Sequence, residues 1–301
     1  MFGGGMFGLG PRHDRKHFFK YTSCKTAKIV LENRTFQWSL ASAFNDPFDV
    51  QFDLQAIYDA EELIRISKDQ ARDIILWQLP ANPNFGLGKL LSHPPFDPKQ
   101  RPDLLDPYLD RFHDAVHELL PKQLEVWRLG LRNVFKTFCI FCLSTVNDNV
   151  LIWSHYADQH RGVVIRLACL EGASSRWLNA APVVYSKDMP RLVNQDELRD
   201  FLTGQADFPD NFEIIRRSVL TKALDWRYEE EWRVADNFQT EETQFIGFHP
   251  SEIDAIYFGC RISEQDRADI MTAARKVNSK VEFHQAKKSD RAFALKFEPI
   301  A

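Results

Sequence analysis

Apolar and polar positions along the chain predict a mixture of strands and helices. Residues 17–22 and 137–144 are rich in β-branched and aromatic side chains, which favours strands. Apolar residues recur at helical spacing over 59–79, and a second helical stretch covers 107–136. Further helices are predicted at 26–33, 149–156, 194–203, 210–224 and 263–277, and further strands at 35–39, 163–168, 181–186, 254–259, 280–286 and 291–298.

These elements do not alternate regularly, so we predict an α+β fold with a mixed or antiparallel β core rather than a doubly wound sheet. Residues 1–13 hold five glycines and are predicted to form a flexible tail. We expect 14–301 to be a single domain, with 59–136 as a helical insertion or cap. Seven of the fifteen prolines lie from 80 to 107, which predicts a long irregular loop inside that insertion.

The stretch Trp226–Val234 carries the most distinctive polar pattern. As a strand it places Glu229, Glu231 and Arg233 on one face, because successive side chains point to opposite sides. Two carboxylates this close raise the pKa of one of them unless a cation such as Arg233 compensates. Such a pair suits a site where positive charge develops or a metal binds. The alternative is a solvated strand edge with an intrastrand ion pair.

Aromatic and polar side chains are also dense on the short helix predicted over 149–156. Trp153 and Tyr156 lie at i,i+3 and therefore neighbour each other on a helix. His155, His160 and Arg161 are close in sequence. The group could form a stacking platform for a flat ring, or the two aromatic rings could belong to the core.

A turn is predicted at 44–49 from its Asn-Asp-Pro centre. Phe44 and Phe48 could hold it inward. Asp46 and Asp49 could act as ligands or bases, or as hydrogen-bond acceptors within the turn.

Composition limits the classes of function. The 301 residues carry a net charge of −4, so no global basic surface favours nucleic-acid binding. No apolar run approaches the ~18 residues of a membrane-spanning helix. The N-terminal stretch lacks a basic start followed by an apolar block, so we expect no secretory signal. The five cysteines are an odd number and scattered, which favours reduced thiols and a cytoplasmic location.

Six stretches spread in order over nearly the whole chain carry a family resemblance: 19–21, 44–49, 142–144, 153–156 with 161–162, 222–233 and 256–259. Together they resemble the uncharacterised, mainly bacterial family known as domain of unknown function 2971. That family implies no settled activity.

The layout is also similar to the ADP-ribosyltransferase-like superfamily. There, a first strand carries a polar residue, a middle strand ends in serine or an aromatic residue, and a late strand carries a catalytic glutamate, sometimes as Glu-x-Glu. In this chain the first position falls on Lys20 or Tyr21, the second on Ser144 or Tyr156, and the last on 229–231. The superfamily usually has histidine or arginine at the first position, and this chain has lysine.

This second resemblance implies an NAD-using enzyme, either an ADP-ribosyltransferase or an NAD glycohydrolase, that cleaves the nicotinamide–ribose bond. Glu231 would stabilise the oxocarbenium-like transition state and hold the ribose 2′-hydroxyl. Glu229 would orient or activate the acceptor, and Arg233 would restrain the pair. A role as a bacterial toxin or a defence effector would fit such an activity.

The same hypothesis assigns the rest of the ligand. Tyr156 or Trp153 would stack the nicotinamide ring, and Lys20 or Arg161 would meet the pyrophosphate as a fixed cation. NAD would be a substrate, no metal is expected, and the acceptor macromolecule stays open. We expect no membrane partner.

Two other classes of function remain. In a metal-dependent phosphodiesterase or nuclease, Asp46, Asp49, Glu229 and Glu231 would bind magnesium, with Lys222 near the phosphate. In a non-catalytic module, the aromatic and charged groove would bind a nucleotide or a protein.

Overall fold

The computed structural model describes residues 9–50, 58–84, 86–173, 175–237 and 244–300. These residues fall into two compact units. The sheet unit is built from the described parts of 1–51, 136–189 and 220–301, and the helical unit from those of 52–135 and 190–219. The predicted insertion 59–136 lies almost wholly in the helical unit, which also takes in a second segment of the chain.

In chain order the strands are β1 (His17–Thr22), β2 (Thr35–Gln37), β3 (Ser39–Leu40), β4 (Phe138–Ser144), β5 (Val163–Ala168), β6 (Ala181–Pro182), β7 (Val184–Ser186), β8 (Thr221–Ala223), β9 (Glu231–Asn237), β10 (Phe245–Gly247), β11 (Ile253–Phe258), β12 (Glu282–Lys288) and β13 (Leu295–Ile300). The helices are α1 (Cys24–Asn33), α2 (Ala60–Trp77), α3 (Gly88–Ser92), α4 (Leu105–Phe135), α5 (Val150–Tyr156), α6 (Gln195–Leu202), α7 (Asn211–Val219) and α8 (Glu264–Val277). None of the described helices has the length and apolarity that a membrane crossing requires.

The described strands of the sheet unit form a main sheet in the order β13-β12-β11-β5-β1-β4-β9-β6, with β3 paired to β4. Its neighbouring strands run antiparallel, except β11 and β12, which are parallel. Two small sheets accompany it, β10 with β2 and β7 with β8. The fold is therefore α+β with a mixed, mainly antiparallel sheet, and the predicted fold class is confirmed.

Strand alternation sends apolar side chains to both faces of the main sheet. Phe18 of β1 packs in one core with residues of α1 and α8. The next residue, Phe19, packs in the other core with Ile152 and Trp153 of α5. The sheet is thus covered by α1 and α8 on one side and by the short helix α5 on the other.

The helical unit is organised by amphipathic helices. Asp59 caps α2 by accepting a hydrogen bond from Glu62 N, and the predicted helix over 59–79 is confirmed. Leu63 and Ile74 of α2 are buried, as are Leu109 and Phe112 of α4.

Several sequence predictions need correction. The helix predicted to end at 224 ends at Val219, because the following residues form β8 beside β7. The proline-rich loop contains the short helix α3. Phe48 is exposed and does not pin its turn. In the predicted tail, residues 1–8 lie outside the described residues, whereas Leu9 is buried and His13 Nε2 lies 2.8 Å from Trp177 O.

The strand predicted at 226–234 begins later than expected. Residues Leu224–Glu229 form a 3₁₀ turn, Glu230 has a φ of 43°, and β9 starts at Glu231. The cause lies in the neighbouring strand: β4 ends at Ser144, which is the register partner of Glu231, so residues before Glu231 have no β4 partner. The prediction that Glu229 and Glu231 alternate on one strand is therefore wrong.

Candidate functional site

The site lies where β1 and β4 separate. Among the described residues, their ladder has the single register pair Phe19–Ser144. On either side of this pair, β1 is hydrogen-bonded to β5, whereas β4 is hydrogen-bonded to β9. The ammonium of Lys20 bridges the resulting gap by donating a hydrogen bond to Cys142 O at 2.8 Å.

A cavity of about 290 Å³ opens at this gap. Both sides of the split contribute to its wall, together with α5, the 44–49 turn, β8 and the 3₁₀ turn before β9. The lining comprises aromatic rings (Phe19, Tyr21, Phe44, Tyr156), cations (Lys20, Lys222), carboxylates (Asp49, Glu229, Glu231), neutral polar groups (Ser39, Asn45, Cys142, Ser144) and the aliphatic Ala43, Leu143 and Ile152.

Two glutamates share one ammonium at the floor of this cavity. Lys222 Nζ lies 2.5 Å from Glu229 Oε2 and 2.8 Å from Glu231 Oε2. The three side chains are at least nine-tenths buried. The alternative of a solvated strand edge is therefore wrong, and the charges sit where water cannot screen them.

Arg233 completes the charge cluster. It lies two residues after Glu231 on β9, so its side chain points to the same face of the strand. Its Nε donates to Glu231 Oε1 at 2.8 Å, and its Nη1 and Nη2 donate to the two carboxylate oxygens of Asp49 at 2.9 and 2.6 Å. Burial alone would raise the pKa of Glu231, but Arg233 and Lys222 outweigh burial and hold that pKa well below its usual value. Glu231 is thus a fixed, fully compensated carboxylate.

Glu229 is held differently. Burial raises the pKa of Glu229, although the ammonium of Lys222 offsets part of that effect. Its Oε2 binds Lys222, whereas its Oε1 is buried and has no hydrogen-bond partner among the described residues. An unpaired buried carboxylate oxygen is costly, so this atom is the point of the site that a ligand donor would satisfy.

Tyr156 lies at the end of α5, and its phenol is within hydrogen-bonding reach of the Glu229 carboxylate, which lowers the pKa of Glu229 slightly against the effect of burial. Burial raises the pKa of Tyr156 well above its usual value, and the charge of Glu229 adds to the effect. The phenol therefore stays protonated and able to donate. Asn149 fixes the helix: its Oδ1 accepts from Leu151 N at 2.9 Å and its Nδ2 donates to Tyr228 O at 3.1 Å.

The structure brings most of the predicted site residues together. Lys20, Tyr21, Ser144, Tyr156, Glu229 and Glu231 line the cavity, and Arg233 lies against Glu231. Ser144 Oγ donates to Glu229 O at 2.7 Å and so ties the 3₁₀ turn to β4. Phe19, Ser144 and Glu231 are register neighbours on three adjacent strands.

Two predicted residues lie elsewhere. Trp153 is fully buried in the core under α5, where its Nε1 donates to Asn147 O at 2.7 Å. Arg161 pairs with Asp158 at 3.0 Å on the surface and does not line the cavity.

Other contributors escaped the sequence reasoning. Tyr185 accepts a hydrogen bond from Glu231 N at 2.8 Å and fixes the first residue of β9. Asn45 and Phe44 reach the cavity wall from the turn. No pattern around Tyr185 indicated this contact, because it depends on β7 lying beside β8 in space.

The arrangement determines which chemistry the cavity can perform. Cys142 lines it, but burial raises the pKa of the thiol, so Cys142 is not a thiolate nucleophile. Of the carboxylate oxygens on Asp49, Glu229 and Glu231, the buried Glu229 Oε1 stands unpaired among the described residues. The site offers one open anionic acceptor, a protonated phenol and an aromatic wall.

One family comparison bears on this chain. The family model described as a protein of unknown function, DUF2971, matches residues 152–234. This segment includes Lys222, Glu229, Glu231 and Arg233, whereas Lys20 and Asp49 lie before it. The match supports the first resemblance drawn from the sequence and names no activity. No curated protein and no solved structure matches the chain.

Proposed function

We propose that the protein is an NAD-using enzyme that cleaves the nicotinamide–ribose bond, as an ADP-ribosyltransferase or an NAD glycohydrolase. The observation that carries the proposal is Glu229 Oε1, a buried carboxylate oxygen without a partner among the described residues, at the wall of an aromatic-lined cavity. The resemblance to the ADP-ribosyltransferase-like superfamily supports it, since three of the positions that it implies, Lys20, Ser144 and Glu231, fall on the adjacent strands β1, β4 and β9.

The reaction requires a negative charge beside the ribose and a proton acceptor, and the Glu229 carboxylate supplies both. As the glycosidic C–N bond breaks, its electron pair moves to the nicotinamide nitrogen and positive charge develops on the ribose. A fixed, buried carboxylate such as that of Glu229 stabilises that charge. The oxygen of water or of an acceptor then bonds to ribose C1′ and loses its proton to Glu229, whose raised pKa suits a general base.

The roles of the two glutamates are therefore exchanged relative to the sequence hypothesis. Both carboxylate oxygens of Glu231 accept hydrogen bonds from Arg233 or Lys222. Its negative charge is therefore already compensated within the protein. It acts as a positioning residue, because it holds the same Lys222 that orients Glu229.

The remaining roles follow from the lining. Tyr156 lies at the cavity wall, so in this proposal its ring contacts the nicotinamide ring while its hydroxyl donates a hydrogen bond to the Glu229 carboxylate. Lys20 provides a cation at the opposite strand, toward the anionic part of NAD. The cavity of about 290 Å³ is near the lower end of small-molecule sites, at about 300 Å³. It fits the nicotinamide and its ribose, with the pyrophosphate near Lys20 and the adenosine part of NAD lying outside.

The carboxylate geometry does not favour the metal-dependent alternative. Asp49 and Glu231 already bind Arg233, and Asp46 Oδ2 accepts from Trp226 Nε1 at 2.7 Å. Within the described residues, no group of three or more His, Cys, Asp or Glu side chains is placed to hold a metal ion. A metal at this point would have to displace two buried cations.

The test is release of nicotinamide from NAD by the purified full chain, followed by mass spectrometry. Glu229→Gln keeps the size and the Lys222 contact but removes the charge, so we expect release to stop while NAD still binds. Glu230→Gln is the matched control, since Glu230 is adjacent and exposed, and it should turn over like the wild type.

Binding of NAD without nicotinamide release by the wild type would contradict the enzymatic proposal and favour the non-catalytic module. Release that depends on magnesium and stops with a chelator would favour the metal-dependent class instead. ADP-ribose on a protein or nucleic acid would identify a transferase, and free ADP-ribose a glycohydrolase.

A further inference from the structure

A second cavity of about 590 Å³ lies in the sheet unit, between the start of α5 and the turn that joins β12 to β13. No residue of the first site lines it. Its size falls within the range of small-molecule sites, roughly 300–1,000 Å³. Val150 and Leu295, which are both half-buried, give it an apolar interior, and the exposed turn residues Ala292–Ala294 extend the apolar lining to its mouth.

The rim of this second cavity is basic. Arg261, Lys288 and Arg291 line it, and Asp290 is the single carboxylate among its lining residues. Lys288 and Arg291 are exposed and have no ion-pair partner among the described residues. Two guanidinium groups and an ammonium around one opening suit a phosphate group, which accepts several charge-assisted hydrogen bonds at once.

The interior offers a hydrogen-bond acceptor. Ser154 Oγ donates its proton to Val150 O at 2.8 Å, so at 3.0 Å from His160 Nε2 it must accept from that nitrogen. Burial and the charge of Arg261 lower the pKa of His160, which keeps the ring neutral. The neutral ring then carries its proton on Nε2, and His160 Nδ1 is a buried acceptor without a partner among the described residues.

The backbone holds His160 in an uncommon conformation. Asp158, Gln159 and His160 have successive φ values of 46°, 55° and 67°. Three non-glycine residues in a row in the left-handed region are strained, and such strain persists only where the surroundings enforce it. Here Arg261 N donates a hydrogen bond to His160 O at 3.0 Å, and the close approach requires glycine at 259, because a Cβ there would lie 2.1 Å from His160 O.

An aromatic ring stands at the mouth of the cavity. Phe293 lies in the β12–β13 turn and is 103% exposed. A planar ligand ring entering the apolar interior would bring its face within reach of this side chain, and bases stack readily on exposed aromatic rings.

We propose that this cavity is a second, separate nucleotide site, with the base in the apolar interior and the phosphates against Arg261, Lys288 and Arg291. An amino group on the base would donate to His160 Nδ1, which satisfies the unpaired acceptor. The site does not depend on the reaction proposed for the first cavity.

The experiment is calorimetric titration of the full chain with ADP, and with inorganic pyrophosphate as the probe that lacks a base. We expect ADP to bind at least about tenfold more tightly than pyrophosphate, because only ADP fills the apolar interior. The double variant Lys288→Glu, Arg291→Glu should weaken ADP binding by about tenfold or more through loss of charge-assisted contacts. Lys296→Glu, an exposed lysine of β13 outside the cavity, should leave it unchanged.

Lys20→Met separates this site from the first cavity. Lys20 is the cation that the first cavity would offer to the anionic part of a nucleotide, and it does not line the second cavity, so this variant should bind ADP like the wild type. Equal ADP affinity in the wild type and in the double variant would overturn the proposal. So would loss of ADP binding in folded Lys20→Met, since ADP would then occupy the first cavity. Equal affinities for ADP and pyrophosphate would also overturn the proposal of a nucleotide site, because the base would then contribute nothing and the cavity would bind phosphate groups alone.

Discussion

Arg233 Nη2 lies 2.6 Å from Asp49 Oδ2, so that β9 is joined to a turn 184 residues earlier in the chain. The Arg233 side chain is fully buried and that of Asp49 nearly so. Neither charge can regain water without opening the sheet unit. This pair, together with Glu231 and Lys222, fixes the floor of the candidate active site.

Removal of one partner should therefore destabilise the protein strongly. In Asp49→Ala we expect the free energy of unfolding to fall by about 3–5 kcal/mol. The reason is that Arg233 stays buried but loses the carboxylate that accepts two of its hydrogen bonds. Urea unfolding measures it. Glu298→Ala is the control, since its pair with Lys287 is more than half exposed on both sides and should change the midpoint far less. Similar effects from both variants would contradict the buried pair.

The two glutamates should separate stability from catalysis. Glu231→Gln removes the charge that compensates both Arg233 and Lys222, so we expect a loss of about 3–5 kcal/mol in the free energy of unfolding. Glu229→Gln should keep most of the stability, because burial already disfavours the Glu229 charge, yet it should lose nicotinamide release. Thermal unfolding of both variants beside the activity assay tests this. A stable but inactive Glu231→Gln would restore Glu231 as the catalytic residue.

The raised pKa of Glu229 predicts opposite pH trends for activity and stability. Its ordinary value is 4.5, and burial moves it upward. Turnover needs the carboxylate, so kcat/KM should fall as pH falls through the raised pKa, with an acid limb above 4.5.

Stability should move the other way. Between 4.5 and the raised pKa the folded protein holds more protons than the unfolded chain, so the contribution of Glu229 to stability decreases as pH rises through that window. Urea unfolding across pH tests it: the wild type should lose stability relative to Glu229→Gln as pH rises, and then level off. An acid limb at or below 4.5, or no such difference, would contradict the raised pKa.

The cap of α5 should affect ligand contacts as well as folding. Asn149→Ala removes the N-cap and the hydrogen bond to Tyr228 O, so we expect about 1 kcal/mol of lost stability together with a raised KM for NAD, since α5 carries Tyr156. Ser263→Ala is the matched control, because it also removes a helix N-cap. Ser263 caps α8 by accepting from Asp266 N, far in sequence from the site, and should lower stability without changing KM. Equal KM values in the two variants would contradict the role of α5.

Much of the fold follows from local patterns. β1 and β4 and helices α2 and α8 lie close to where the apolar pattern predicts them, because their periodicity is strong and their ends carry turn or cap residues. The error at 226–234 has a different origin. Alternation at Trp226–Val234 is compatible with a strand, but a strand needs a partner, and β4 ends at Ser144.

The candidate site shows the same division. Glu229, Glu231 and Tyr156 could be chosen from the sequence, since dense polar and aromatic residues at close spacing are visible in it. The contribution of Asp49 could not, because nothing in the sequence tells which of two turn aspartates meets an arginine 184 residues away.

By itself, the sequence determined the α+β class, the main amphipathic helices and the residue types available for chemistry, because these depend on side-chain periodicity and composition. The tertiary structure alone decided which carboxylate oxygen of the two glutamates lacks a hydrogen-bond partner. Two cations, Arg233 and Lys222, compensate the buried charge of Glu231, whereas Glu229 Oε1 is left without a partner among the described residues. Compensation of a buried charge depends on distances between strands, and the order of residues in the chain does not contain them.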